Sequence, residues 1–268
     1  MEEIPQISQM EARKMLSVDN IDRIIETRIS ERNFRDNLES ITIGGTTIII
    51  GGFLGSGGSK EVYSVDYCGK PYALGISGKI DGPAKILFKW YSVLMDPQNT
   101  ERLRESGLKV NDFCQIVPVT INGFPFPAIL MKRYQDHSFK IHDSKNRANY
   151  LNGSNIKDDE MCLEFMGGLI EDVRTLITEG ICLGRDSFNA CTLPTSFRLY
   201  FNDLGSAQFC RFSSSEIDSV ASEYASYAKN AFIKSFSDNA IVKNPYLDGL
   251  ISDSSSLEAK MKEIVLSN

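Results

Sequence analysis

The sequence changes character near residue 134, and this change constrains the fold more than any other feature. Before it, β-branched and aromatic segments alternate with glycine-rich turns, as in antiparallel strands. After it, apolar residues recur at helical spacing. Strands followed by helices predict an α+β chain with two lobes. We predict an N-terminal helical extension over residues 1–44, a small antiparallel β lobe over 45–134 and a helical lobe with a C-terminal tail over 135–268.

The first half predicts several elements. Apolar spacing over residues 8–41 indicates one or two amphipathic helices. Residues 42–80 are expected to form three antiparallel strands, and residues 83–107 a helix that is interrupted at Asp96-Pro97. Residues 114–134 predict a hairpin that turns at Asn122-Gly123.

The second half predicts mainly helices. One apolar face runs from Cys162 to Ile177, and Gly180 is expected to end that helix. A short strand pair is expected around residues 191–204. The sequence from Ser213 to Glu216 has the pattern of a capping box, which opens a further helix. The tail at 251–268 is weakly helical.

Composition and charge exclude several classes of function. The net charge is −6 and no run of Lys or Arg exceeds two residues, so a nucleic-acid partner is not expected. The apolar runs are too short to span a bilayer, and the acidic N-terminus is unlike a secretory signal peptide. The six cysteines form no C-x-x-C pair, which favours buried free thiols in a reducing cytosol over disulfides. His137 and His142 lie in a polar stretch, which favours a surface role over a metal site.

A glycine-rich segment, LGSGGSKEV, starts at Leu54 and ends at Val62. Its glycines Gly55, Gly57 and Gly58 leave backbone N–H groups free to approach phosphate oxygens. The apolar residues that flank the turn, Leu54 and Val62, are placed to sandwich a purine ring. A tight hairpin without a ligand has the same pattern and stays the alternative.

Two acids in the second half are candidates for metal binding and proton transfer. Asp203 follows the aromatic-rich strand RLYFN and precedes Leu204-Gly205, where a carboxylate can hold Mg²⁺. Asp186 and Asn189 fall in the preceding loop, and they could serve as proton acceptor and metal ligand. The alternative is a pair of loop aspartates that make turns.

In their order, these features resemble the protein kinase superfamily over about residues 45–235. Tyr72-Ala73-Leu74-Gly75, in the third predicted strand, resembles Val-Ala-Ile-Lys without its lysine. Gly184-Arg185-Asp186 resembles His-Arg-Asp, and Asp203-Leu204-Gly205 resembles Asp-Phe-Gly. The resemblance implies a bilobal protein-kinase-like fold with a reduced helical C-lobe.

The same resemblance implies ATP and Mg²⁺ as cofactors. It places Ala73, Met131 as the gatekeeper, and Arg133 beside the nucleotide. It makes Asp186 the group that orients or deprotonates the attacking hydroxyl, and Asp203 the metal ligand, with Asn189 as a second. Asn189 departs from the family spacing, because it follows Asp186 by three residues where the family usually has five.

The glycine loop is similar to that of the with-no-lysine kinases, where the lysine sits in the loop. Lys60 occupies the third-glycine position and could reach the phosphates as a mobile point charge. The alternative is a solvent-facing strand residue. The acidic partner of the lysine stays open among Asp96, Glu101 and Glu105.

The short stretch after Gly205 leaves no room for a long activation segment. In this respect the chain resembles the compact kinases that bacterial pathogens deliver into host cells. The expected function is a Ser/Thr protein kinase that acts on a partner protein, with a host protein among the candidates. The expected location is the cytoplasm or the host cytosol. The alternatives are a pseudokinase that only binds, or an enzyme that transfers AMP or phosphorylates a small molecule. The helices at 8–41 are either a docking element or a brace on the N-lobe.

Overall fold

The computed structural model describes most of the chain, in ten segments: residues 4–16, 41–56, 60–77, 83–121, 124–133, 138–140, 159–184, 187–193, 196–234 and 245–267. The chain divides into two compact units. The first holds residues 1–101, 111–133 and 203–206, and the second holds 102–110, 134–202 and 207–268. The predicted turn at Asn122-Gly123 and both histidines lie outside the described residues.

The first unit is built on a seven-stranded antiparallel sheet with the order β2-β1-β6-β7-β5-β4-β3. Its strands are β1 (Ile41–Ile43), β2 (Thr46–Thr47), β3 (Ile49–Ser56), β4 (Lys60–Tyr67), β5 (Lys70–Ser77), β6 (Cys114–Ile121) and β7 (Phe124–Lys132). The antiparallel pairing of β6 with β7 confirms the predicted hairpin.

The prediction of three strands over residues 42–80 is wrong, because the described residues of this region form five. Gly44 and Gly45 adopt φ angles of +56° and +87°, and this turn splits the first segment into separate strands. Ile41 was expected at the end of the N-terminal helical region. It instead begins β1, which pairs with β6.

An N-terminal segment packs on the same sheet. Helix α1 (Gln9–Met15) begins with a capping box between Ser8 and Glu11. Ala12 and Leu16 are buried in the core of the first unit, and the N–H of Ile7 donates to the carbonyl of Ile116 at 3.1 Å. This packing supports a brace on the N-lobe over a docking element. The predicted helical residues from 17 to 40 lie outside the described part of the chain.

Helix α2 (Pro83–Glu105) runs through Pro97 without a break, so the predicted interruption at Asp96-Pro97 is wrong. An internal proline removes one backbone hydrogen bond of the helix. Val93 and Leu94, one turn before it, are buried in the core of the first unit. This tertiary packing accounts for a helix that continues where local preference would end it.

The second unit combines four helices with short strands in the described residues. They are α3 (Asp159–Thr178), α4 (Ser214–Lys234), α5 (Pro245–Ser252), α6 (Ser254–Leu266), β8 (Ser138–Lys140), β9 (Ile181–Cys182), β10 (Phe188–Leu193), β11 (Ser196–Phe201) and β12 (Gln208–Phe209). Gly180 ends the first helix region at φ +63°, and Glu216 accepts from the N–H and hydroxyl of Ser213, as predicted. The α+β fold class is therefore confirmed.

Four cysteines in the described residues are thiols that take no part in a disulfide. Cys68 and Cys210 are exposed and Cys114 and Cys182 are partly buried, so the prediction of buried thiols is wrong for the first two. Within the same part of the chain, none of the helices has both the length and the apolar composition needed to cross a lipid bilayer.

Candidate active site

Lys60 is a buried cation at the start of β4. Its ammonium group contacts the carboxylate of Asp96, and its Nζ lies 3.0 Å from Oδ1 of Asp203. All three residues belong to the first unit. A solvent-facing strand residue, the alternative left open by the sequence, is therefore wrong.

Gly75 gives the lysine its room. In the β4–β5 pairing, Val62 lies opposite Gly75 and Lys60 lies opposite Ser77. A β-carbon on Gly75 would stand 3.5 Å from Cδ of Lys60 and 3.4 Å from Cε of Met131. A long side chain at position 75 would therefore occupy the space that the stem of Lys60 fills.

Asp96 is the acidic partner that the sequence left open among three residues. It is buried on α2, and its two oxygens have separate partners. Oδ2 receives the ammonium group of Lys60, and Oδ1 accepts the backbone N–H of Leu204 at 3.0 Å. Glu101 and Glu105 are exposed. Asp96 lies within α2 and can pair with Lys60 there because the helix is not interrupted at Pro97.

Asp203 follows β11 in a left-handed backbone conformation, with φ +55°. Such a conformation is uncommon outside glycine, and it persists where neighbouring contacts hold it. A 3-10 turn over Leu204–Ser206 comes next. A β-carbon on Gly205 would stand 2.1 Å from the carbonyl oxygen of Ser92, so only glycine fits there.

Asn99 contacts this segment and was missed by the sequence analysis. It is buried on α2, and its Nδ2 donates to the carbonyl of Leu204 at 2.7 Å. No motif marks it. The only available signal was its spacing of three residues from Asp96, which places both side chains on one helix face.

The two neighbouring carboxylates determine the protonation state of Lys60. Burial lowers the pKa of Lys60, but the carboxylates of Asp96 and Asp203 outweigh this effect, and the pKa rises above its ordinary value of 10.5. A cation with a raised pKa contributes stability that is fully present below its ordinary pKa and is lost only as the pH rises through the higher folded value. Lys60 is therefore charged at neutral pH.

The donor set fits Mg²⁺. This ion is usually held by one or two carboxylates together with phosphate oxygens, and it keeps several waters. The side chain of Asp203 is 26% exposed, so its carboxylate is open to a ligand. Both oxygens of Asp96 are engaged. Among the described residues, no group of three or more His, Cys, Asp or Glu side chains could hold a metal ion by itself.

The residues predicted beside the nucleotide line two neighbouring strand pairs. Gly55 of β3 pairs with Val62 of β4, and Ala73 of β5 pairs with Met131 of β7. Leu54 precedes this first pair and is 45% exposed. The apolar residues of the loop and of the strands therefore lie on one sheet.

Arg133 follows β7 and donates from its guanidinium to Oγ of Ser64 at 2.7 Å. This bond joins the end of β7 to β4. The structure shows that contact for Arg133, and its place beside a nucleotide stays a prediction.

Four further residues are predicted to take part in the chemistry of the site. Gly57, Gly58 and Asp186 lie outside the described residues. Asn189 lies on β10 of the second unit, where its backbone pairs with Tyr200. Their roles in phosphate binding, proton transfer and metal binding stay predictions.

No family model matches the chain, and no curated protein matches it either. Solved structures that resemble it include a ROP18 kinase domain in complex with AMP-PNP and sucrose, which is 15% identical with a TM-score of 0.44, over 98% of this chain and 89% of that one. The PknI kinase domain of Mycobacterium tuberculosis is 14% identical with a TM-score of 0.38, over 85% and 90%. WaaP in complex with acyl carrier protein is 12% identical with a TM-score of 0.40, over 81% and 88%. Identities and TM-scores this low assign no activity to the chain.

Proposed function

We propose that this protein is an ATP- and Mg²⁺-dependent phosphotransferase that acts on Ser or Thr hydroxyls of a partner protein. One observation carries the proposal. Lys60, near the end of the glycine-rich segment, is buried between Asp96 of α2 and Asp203, which precedes the 3-10 turn.

Stability alone is a weak account of this cluster. The free-energy cost of removing two charges from water offsets most of the attraction between them. Well-packed apolar residues at the same positions therefore often stabilise a fold equally well. Buried charges with perturbed pKa values are enriched at functional sites. A cation and a partly exposed carboxylate that lie 3.0 Å apart suit a substrate that carries both phosphate and metal.

The residues have separable roles in such a reaction. Lys60 binds phosphate oxygens as a compact point charge, and Asp96 keeps the ammonium group in place. Asp203 would hold Mg²⁺, which neutralises phosphate charge when it is bound. Asp186 orients or deprotonates the attacking hydroxyl, and Asn189 is the candidate second metal ligand. Catalysis then rests on positioning and on charge complementarity.

Intact-mass spectrometry after incubation with Mg-ATP and a generic Ser/Thr protein substrate tests the proposal. We expect the mass of one phosphoryl group on the substrate or on the chain itself, together with ADP in solution. A mass increase of one AMP group would instead indicate that the protein is a nucleotidyl transferase. ATP-dependent thermal stabilisation without any transfer would leave a binding module. No stabilisation and no transfer would overturn nucleotide binding altogether.

A matched pair of variants makes the test specific. Lys60→Ala removes the buried cation, whereas Lys70→Ala removes an exposed lysine of the neighbouring strand β5. Transfer should be lost in the first variant and kept in the second.

A further inference from the structure

Helix α2 presents a polar stripe toward the segment that carries Asp203. The stripe consists of Ser92, Asp96 and Asn99, which follow one another at intervals of four and three residues and so share a helix face. Asp96 and Asn99 form hydrogen bonds with the backbone of Leu204. Ser92 lies so close to Gly205 that a β-carbon on the glycine would stand 2.1 Å from the Ser92 carbonyl oxygen. The helix thus supplies more than the partner of Lys60.

Leu204 is held at both ends of its backbone. Its N–H donates to Asp96, and its carbonyl accepts from Asn99 at 2.7 Å. The residue is fully buried, and Asn99 is only 2% exposed. A buried amide without a partner is costly, so this bond matters to both groups.

Asp203 needs such support more than an ordinary strand residue does. Its φ of +55° is a conformation that side chains with a β-carbon seldom adopt, so the surroundings must hold it. The contacts of Leu204 with α2 come immediately after this strained residue. Loss of one contact would let the backbone relax and would move the Asp203 carboxylate.

We propose that Asn99 is a positioning residue for Asp203. By holding the carbonyl of Leu204 on α2, it keeps the carboxylate of Asp203 beside Lys60 and directed toward Mg²⁺. The part that concerns Mg²⁺ rests on the proposed function, whereas the part that concerns the backbone does not.

Hydrogen exchange of the ligand-free protein tests the backbone part. Asn99→Leu keeps a similar volume and removes the donor, and Asn99→Ala is the second variant if the first does not fold. Amides in the peptide that covers residues 203–206 should exchange faster than in the wild type. Asn99→Gln keeps an amide donor and should restore part of the protection. Wild-type exchange in the folded Asn99→Leu or Asn99→Ala variant would overturn the proposal.

Asn111→Ala is the matched control. Asn111 also donates from Nδ2 to a backbone carbonyl, that of Lys132, in the same unit at 3.0 Å. This variant should leave exchange over residues 203–206 unchanged. Equal acceleration by both variants would indicate a general loosening of the unit and would overturn a specific role for Asn99.

Titration of Mg²⁺ in the presence of ATP tests the metal part, with thermal stabilisation as the readout. In the Asn99 variants the half-saturating Mg²⁺ concentration should rise about 10- to 100-fold, as when groups that orient a metal ligand are removed. Stabilisation by ATP without Mg²⁺ should be unchanged, and saturating Mg²⁺ should restore the full shift. An unchanged half-saturating concentration would overturn the metal part. A wild type without any Mg²⁺-dependent shift would refute the proposed function, and the exchange experiment would still decide the role of Asn99.

Discussion

The side chain of Lys60 lies over Gly75, close enough that a β-carbon on the glycine would stand 3.5 Å from Cδ of the lysine. The two positions therefore share one space. A lysine at position 75 of β5 and a lysine at position 60 of β4 are alternatives, because the sheet has room for one stem. This relationship leads directly to the first prediction.

Lys60→Ala should reduce phosphoryl transfer by at least about 100-fold, the scale for loss of one group that stabilises transition-state charge. Lys60→Arg should recover little, because a planar guanidinium does not reproduce a compact ammonium. Steady-state kinetics with Lys70→Ala as control checks this. Full activity in Lys60→Ala would contradict the assignment.

The double variant Lys60→Gly/Gly75→Lys tests the shared space. The vacated room should admit the strand lysine, so part of the lost rate should return. Gly75→Lys alone should lower the rate of phosphoryl transfer, because the side chains of Lys60 and of the new lysine would compete for one volume. The relevant comparison is the rate of the double variant against that of Lys60→Gly.

Asp96→Ala should lower the free energy of unfolding by about 3 kcal/mol, the lower end of the range for a broken buried pair, since Asp203 still faces the lysine. Asp112→Ala is the matched control, because Asp112 pairs with Lys132 in the same unit with both side chains more than half exposed. That change should cost about 0–1 kcal/mol. Urea unfolding measures both, and equal losses would argue against a special role for Asp96.

Asp203→Ala should abolish the Mg²⁺-dependent part of the thermal stabilisation by ATP while the protein stays folded. A ligand that binds only the native state raises stability by mass action, so loss of the metal ligand removes that increment. Asp218→Ala, which removes an exposed acid paired with Lys262, should leave the increment intact. Equal Mg-ATP shifts in the wild type and Asp203→Ala would refute the metal assignment.

Asp186→Asn should keep the affinity for ATP within a few-fold and lower the rate by at least about 100-fold, the scale for one positioned acid–base group. The physical reason is that the side chain acts on the hydroxyl and not on the nucleotide. Single-turnover rates and ATP binding measured on the same preparation separate the two effects. Near-normal turnover would move the catalytic role elsewhere.

Gln9→Ala should lower the free energy of unfolding by about 1 kcal/mol. The amide of Gln9 donates to the carbonyl of Leu94 and to the side chain of Gln98 at 3.1 Å, on either side of Asp96 and Pro97. Loss of these bonds should also weaken ATP binding through Asp96. Met10→Ala, at a neighbouring residue that is 67% exposed, should change neither quantity. Equal effects of the two variants would argue against a brace.

Local features of the chain were predictable from the sequence because their causes lie within a few residues. Gly180 ends a helix region in the left-handed conformation, and the hydroxyl of Ser213 donates to the carboxylate of Glu216, as their spacing predicts. The hairpin of β6 and β7 follows from alternation around a turn signal. The position of Lys60 at the start of β4, next to the glycines in the sequence, also follows from the local pattern.

Tertiary structure decided the rest. Pro97 predicts a helix break from local preference, but packing of α2 in the core of the first unit overrides it. The partners at the site are far apart in the chain: Lys60 and Asp96 by 36 residues, Asn99 and Leu204 by 105, and Asp96 and Leu204 by 108. Sequence patterns report which side chains can form such contacts. Which of them do so depends on the packing of α2 against the sheet and the turn, because ion pairs and hydrogen bonds act only over a few ångströms.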